Sequence, residues 1–273
     1  MENEEVLIHF KRYLKKRNLS GNSITAYISG VRFYFRMFDE INPENLREYR
    51  KFLISHYRPS TVNQRIYAIN HFSDFSEAAE TYRLSSVNIQ RKRFLDAVIS
   101  NEDYELLKKS LKEEENYFWY FVVRFLAATG ARVSELIQIK AEHLKLGYLD
   151  LYSKGGKMRR IYLPDFLCAE ALEWCEGQGV KSGFIFLNRE GNLITPRGIN
   201  FQLKHLAVRY GIDPDTVYPH SFRHRFAKNF LACFNDISLL ADLLGHESIE
   251  TTRIYLTGSS AEQRRLMDEI VTW

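Results

Sequence analysis

Three short segments carry charged and polar residues where a plain helical core would hold apolar ones: TGARVSEL (129–136), HSFRHRF (220–226) and LLGHESIETTRIYL (243–256). In the first, Gly130 interrupts an apolar helix, Arg132 follows it, and Glu135 comes three residues later. In the second, His220 and Arg223 are spaced i,i+3 and share a helical face. In the third, Gly245 ends an apolar helix, His246 follows, and Ser248 can cap a helix bearing Tyr255. Between the first two lies YLDLYSKGGKMRRIYL (148–163), two β-prone runs around Gly155-Gly156 that read as a hairpin, with Lys154 and Lys157 flanking its turn.

These residue types suit attack on a phosphodiester. The substrate is anionic, and charge concentrates on its non-bridging oxygens as phosphorus is attacked. Two fork-shaped, permanently charged guanidiniums, Arg132 and Arg223, can hold those oxygens bidentately. Tyrosine is a candidate nucleophile whose phenol, with a free pKa of about 10, must shed its proton during attack. An imidazole and nearby positive charge ease that loss. Singly, each feature has a plainer reading. Arg132 and Glu135 could be a surface ion pair, and Tyr255 is one of 16 tyrosines. His220 and His224 could pair at a metal, but no cysteine or carboxylate in their segment completes a site. The joint order of Arg, hairpin Lys, His-x-x-Arg, Gly-His and Tyr outweighs those readings.

That order resembles the tyrosine recombinase family of phage integrases, Xer resolvases and Cre, and the resemblance covers nearly the whole chain. It matches the family's catalytic pattern at Arg132, Lys154, His220, Arg223, His246 and Tyr255. LSGNSITAYISGVRFYFRMF and TVNQRIYAINHFSDF resemble the helical core-binding domain that precedes the catalytic domain in that family. The resemblance implies that Tyr255 becomes joined to a 3′ phosphate, with His220 removing its proton. It implies that His246 donates to the phosphate and that Glu135 orients its neighbours. Lys154 would protonate the departing 5′ oxygen; Lys157 is the competitor, and Lys154 is favoured because the family's lysine precedes the turn. No metal and no ATP are expected, because two arginines neutralise the phosphate and the phosphotyrosine link preserves the bond energy. Two departures stand out. Asn235 takes the place of a family glycine, and Arg225 and Lys228-Asn229 replace smaller residues, with DNA backbone contact and solvent exposure both open to the extra basic residue.

The elements that must position these residues read as mainly helical. Residues 1–84 predict a four-helix, SAM-like core-type DNA-binding domain. Its apolar faces are Val6, Phe10, Tyr13 and Leu14, then Ile24 to Phe38, then Leu46, Tyr49 and Leu53, then Ile66 to Phe75 after Thr61. Residues 85–99 read as a linker whose Arg91, Lys92 and Arg93 would cross the DNA backbone in a C-shaped clamp. Residues 100–273 read as the catalytic domain, mostly helical, with the small antiparallel hairpin and a short FIFL strand at 184–187. Its tail, 258–273, carries Leu266, Met267, Ile270, Val271 and Trp273. Packing against its own domain is the plainer reading of that stripe; such tails in the resembling family dock on a neighbouring subunit, which implies a tetramer on two duplexes.

Composition sets outer bounds. The chain has 273 residues, a net charge of +4 and three cysteines, Cys168, Cys175 and Cys233, within apolar segments. That balance permits double-stranded DNA as partner without requiring it, and an odd cysteine count argues against a disulfide framework. No apolar run reaches the roughly 18 residues of a membrane span, and the acidic N-terminus is unlike a signal peptide, so a cytoplasmic protein is expected. Two other classes share some of these features: a type IB topoisomerase and a non-catalytic DNA-binding regulator. Covalent capture of DNA excludes the regulator, and strand exchange between paired sites separates recombinase from topoisomerase.

Overall fold

A computed structural model describes residues 2–76, 83–89, 97–152, 158–246, 248–255 and 260–271, and the chain divides into two compact units, Met1–Arg91 and Lys92–Trp273. The first unit is four helices: α1 (Glu2–Lys16), α2 (Gly21–Tyr34), α3 (Pro43–His56) and α4 (Pro59–Phe75). Ser20 and Asn42 cap α2 and α3 by accepting from the backbone N–H groups of Ser23 and Asn45, at 3.1 and 2.8 Å. Prolines open α3 and α4, where no helical donor is lost. Thr61 therefore lies inside the fourth helix rather than at its start. Phe10, Leu14, Val31, Tyr34, Tyr49, Leu53, Ile66 and Ile69 form the core. Val6 is exposed, and Leu7 takes the inward position in its place. Gly30 lets α2 and α4 approach closely, since a Cβ there would lie 2.7 Å from that of Ala68. Beyond α4, Asn63 and Asn70 each give and take one backbone hydrogen bond with Val87 and Leu84, so the segment at 84–87 lies along α4.

The second unit is built around α6 (Tyr117–Thr129), a helix buried on most sides, with α5 (Asn101–Glu113) and α11 (Pro219–Cys233) against it. Ser100 caps α5 by accepting from Asp103 N–H. Short helices α7 (Val133–Leu136) and α8 (Ala141–Leu146) lead into strands β1 (Tyr148–Tyr152) and β2 (Met158–Tyr162). The strands pair antiparallel from Tyr148↔Tyr162 to Tyr152↔Met158. The turn between them, with Lys154 and Lys157, lies outside the described residues, as do Arg91, Lys92 and Arg93. Helices α9 (Asp165–Gly177) and α10 (Pro196–Arg209) follow, then α11, α12 (Ile237–Leu244), α13 (Ile249–Thr252), a 3₁₀ turn at Arg253–Tyr255 and α14 (Ser260–Ile270). The FIFL segment forms no strand. It makes only the isolated bridges Lys140↔Phe184 and Leu187↔Leu193, because no neighbouring run extends alongside it. Cys168 and Cys175 are buried as small core residues, whereas Cys233 is exposed at the end of α11. Among the described residues no helix is long and apolar enough to cross a membrane.

Candidate active site

Two glycines create the backbone of the site. Gly130 and Gly245 end α6 and α12 in the left-handed region, at φ 59° and 62°. Their turns leave the carbonyls of Gly130 and Leu244 pointing inward, and Arg223 answers both. From α11 its Nη1 donates to Gly130 O at 2.7 Å and its Nη2 to Leu244 O at 2.6 Å. The same Nη2 donates to His246 Nε2 at 2.9 Å. Arg223 is only 2% exposed. Burial, then Arg132 and Arg159, lowers its pKa to about 10, which leaves it charged at neutral pH.

That contact fixes the tautomer of His246. Guanidinium nitrogens only donate, so Nε2 accepts and the proton rests on Nδ1. Nδ1 then donates to Thr252 Oγ1, 2.8 Å away and fully buried on α13. Burial, followed by Arg223 and Arg132, pushes the His246 pKa down to about 4.

Arg132 is the N-cap residue of α7, and its backbone N–H donates to Glu135 Oε2 at 2.7 Å. Its Nη1 donates to Glu135 Oε1 at 2.8 Å, and its Nη2 reaches Gly245 O at 3.2 Å. Glu135 also receives Arg159 from β2, whose Nη1 lies 2.6 Å from both carboxylate oxygens. Burial alone would raise the Glu135 carboxyl, but Arg159 and the two Arg132 contacts outweigh it and hold the pKa below the usual value. Arg132 stays 40% exposed at its side chain, facing an open groove of about 1020 Å³ shared with Arg159, Gly245, His246 and Thr251.

Tyr255 is 7% exposed, on the 3₁₀ turn that follows α13. Its hydroxyl lies 3.2 Å from His224 Nδ1, and the positive charge of Arg223 acts on it from nearby. With His224 neutral, its Nδ1 can accept the phenolic proton across that contact. Burial raises the Tyr255 pKa, and Arg223 opposes that rise. Burial, His220 and Arg223 depress His224 to about 4, leaving a neutral imidazole able to accept a proton at pH 7. His220 is exposed one helical turn earlier, its ring centroid 6.0 Å from that of His224. Packing against its neighbours, then Arg223 and Arg132, lowers its pKa as well.

Arg132, Glu135, His220, Arg223, His246 and Tyr255 therefore converge. Arg225 does not face them: its guanidinium lies 3.9 Å over the Tyr104 ring. Sequence reasoning missed three members of the cluster: Arg159, His224 as the partner of Tyr255, and Thr252. Arg159 had a signal. It pairs with Leu151 two residues from the buried pair Leu149↔Ile161, so strand alternation turns it toward the same inner face. A charge there requires a partner.

The arrangement suits phosphoryl transfer: Arg223 and Arg132 act on a tyrosine hydroxyl, and the rings of His224 and His246 stand 5.5 and 6.3 Å from that tyrosine's ring. Residues 97–262 match the Phage integrase family. The chain is 28% identical to a tyrosine recombinase XerC of Leptospira interrogans, over 92% of this chain and 88% of that one. It is 27% identical to a tyrosine recombinase XerD of Oceanobacillus iheyensis, over 92% of each. Its fold is that of XerH site-specific recombinase bound to difH in a post-cleavage complex. That match has a TM-score of 0.72 and 21% identity, covering 94% of this chain and 81% of that one. It is also that of a lambda integrase dimer on a core site, with a TM-score of 0.69 and 16% identity over 92% and 94%. The chain belongs to the phage integrase family and is a tyrosine recombinase, an enzyme of site-specific DNA recombination.

Proposed function

We propose that this recombinase cuts DNA by transferring a phosphodiester to Tyr255. The phenolic oxygen bonds to phosphorus, the bond from phosphorus to the 5′ oxygen breaks, and a 3′-phosphotyrosine and a free 5′ hydroxyl result. Rejoining is the same step in reverse, with a 5′ hydroxyl from another strand as nucleophile. The observation that carries this reading is the Tyr255 hydroxyl, 3.2 Å from the neutral His224 and within the field of the buried Arg223. Arg132 and Arg223 hold the non-bridging oxygens, and His246 supports them. The phenolic proton goes to the imidazoles of α11. His224 is in contact with it, and His220, which the family resemblance names, is one turn away. Lys154, with Lys157 as the alternative, protonates the leaving oxygen.

Charge supports the same reading. Arg132, Arg159 and Arg223 contribute three positive charges and Glu135 one negative, a net of +2 beside neutral imidazoles. Attack on a phosphodiester monoanion by a phenol losing its proton builds toward two negative charges, which that surplus matches. A suicide substrate, nicked so that the 5′-hydroxyl fragment diffuses away, should trap one DNA strand on the protein. Peptide mapping should locate the link at Tyr255. A protein that binds the substrate and traps nothing would overturn the proposal.

Recombination further requires paired sites, and the tail supports a tetramer on two duplexes. On α14, Met267 and Ile270 are each 60% exposed within a single chain, and Val271 follows them. We assign this apolar face to a neighbouring copy. Deleting residues 261–273 is expected to weaken synapsis, read by gel mobility of paired duplexes, while binding to one site stays measurable. Undiminished synapsis by the truncated protein would refute the tail's role. The basic Arg91, Lys92 and Arg93 belong in this reading to the DNA backbone, which makes binding fall steeply with salt.

A further inference from the structure

Arg159 contacts no reacting group, yet it ties three parts of the site together. Its Nη1 takes both oxygens of Glu135 at 2.6 Å. Its Nη2 and Nε donate to Leu243 O at 2.8 and 3.3 Å, holding the last turn of α12. Its stem fills the space where a Gly245 side chain would stand, since a Cβ there would lie 2.2 Å from Arg159 Cδ. The side chain is 12% exposed and that of Glu135 13%.

The consequence runs through Glu135. Its two oxygens each serve two donors: Oε1 takes Arg159 and Arg132 Nη1, and Oε2 takes Arg159 and the Arg132 backbone N–H. Without Arg159 the carboxylate has a single guanidinium to satisfy it. The Arg132 fork, partly exposed and with its Nη2 held only by the 3.2 Å bond to Gly245 O, would close on Glu135 bidentately and turn away from the groove. Resting on the phosphoryl-transfer reading above, we infer that Arg159 is a positioning residue for DNA cleavage, which occupies Glu135 so that Arg132 remains available to the scissile phosphate.

Because Arg159 acts by occupying a competitor, its importance should vanish when the competitor is neutralised. Adduct formation on the suicide substrate is therefore compared for wild type, Arg159→Gln, Glu135→Gln and the double variant. Arg159→Gln is expected to slow it by about tenfold to a hundredfold, within what a misplaced phosphate donor costs. Adding Arg159→Gln to Glu135→Gln is expected to change the rate by less than about threefold, a strong coupling between the two positions. A further tenfold loss in the double variant would overturn the proposal, as would an Arg159→Gln rate within twofold of wild type.

A second readout separates positioning from loss of structure. A methylphosphonate at the scissile position carries one less negative charge and depends less on Arg132. The defect of Arg159→Gln should shrink on it in parallel with that of Arg132→Ala, whereas a defect equal on both substrates would contradict the inference. Each single variant leaves one buried charge without its partner and the double variant leaves none, so thermal unfolding is measured on all four proteins and their rates are compared at a temperature where each is folded. No adduct from wild type would overturn the Tyr255 reading, and this inference with it. A wild-type adduct with an unaltered Arg159→Gln would overturn this inference alone.

Discussion

Tyr255→Phe is expected to abolish the covalent DNA adduct while leaving the protein folded and bound to DNA. The substitution removes one oxygen. Its ring keeps its place beside His246, whose ring centroid is 6.3 Å away and nearly parallel. The loss to stability is that of a hydrogen-bonded hydroxyl, about 1 kcal/mol, with Arg223 retaining its two carbonyls and His246. Catalysis loses its nucleophile altogether, so the deficit has no intermediate size. The buried hydroxyl, with its pKa raised, is almost wholly protonated at pH 7, and its proton must leave as the bond to phosphorus forms. Phenylalanine offers nothing to deprotonate. Denaturing gels after incubation with the suicide substrate give the answer, with gel mobility shift as the binding control. An adduct of undiminished yield from Tyr255→Phe would assign the chemistry to another residue.

The local chemistry of this site is legible along the chain, and its three-dimensional pairings are less so. Gly130 and Gly245 are readable as helix ends because a left-handed residue is cheapest as glycine, and both helices stop there. Arg132 and Glu135 are readable as partners because three residues bring the N-cap amide and a carboxylate together at the start of α7. The contact of His224 with Tyr255 has no such signal. It depends on how α11 packs beside the turn after α13, which no spacing along either segment states. Val6 and Leu7 show the limit of periodicity in another way. Both lie within a helical turn of Phe10, so spacing admits either, and only packing turns Leu7 inward. Arg159 was within reach, since alternation along β2 puts it on the face of Ile161. A charge in a hairpin rich in basic residues is easily taken for one of its solvated neighbours.

Arg223→Ala is expected to cost at least 10²–10³ in the rate of adduct formation, about 2.7–4 kcal/mol of transition-state stabilisation, and to lower stability as well. The two effects have different sources. Arg223 satisfies the carbonyls of Gly130 and Leu244 at the ends of two helices, and alanine would leave both without that donor in a buried setting. It also fixes His246 by donating to Nε2, so its loss frees the imidazole to exchange tautomers and turn. Arg223→Lys divides these contributions. An ammonium keeps a positive charge beside the phosphate but lacks the planar fork that serves Gly130 O with one nitrogen and Leu244 O and His246 with the other. The lysine variant should therefore recover much of the thermal stability and bind DNA within about tenfold of wild type, yet cleave at least about 10²-fold more slowly. Single-turnover cleavage and thermal unfolding, measured on the same preparations, test this split. A lysine variant that cleaves at the wild-type rate would mean that charge alone suffices and that the shared fork geometry is incidental.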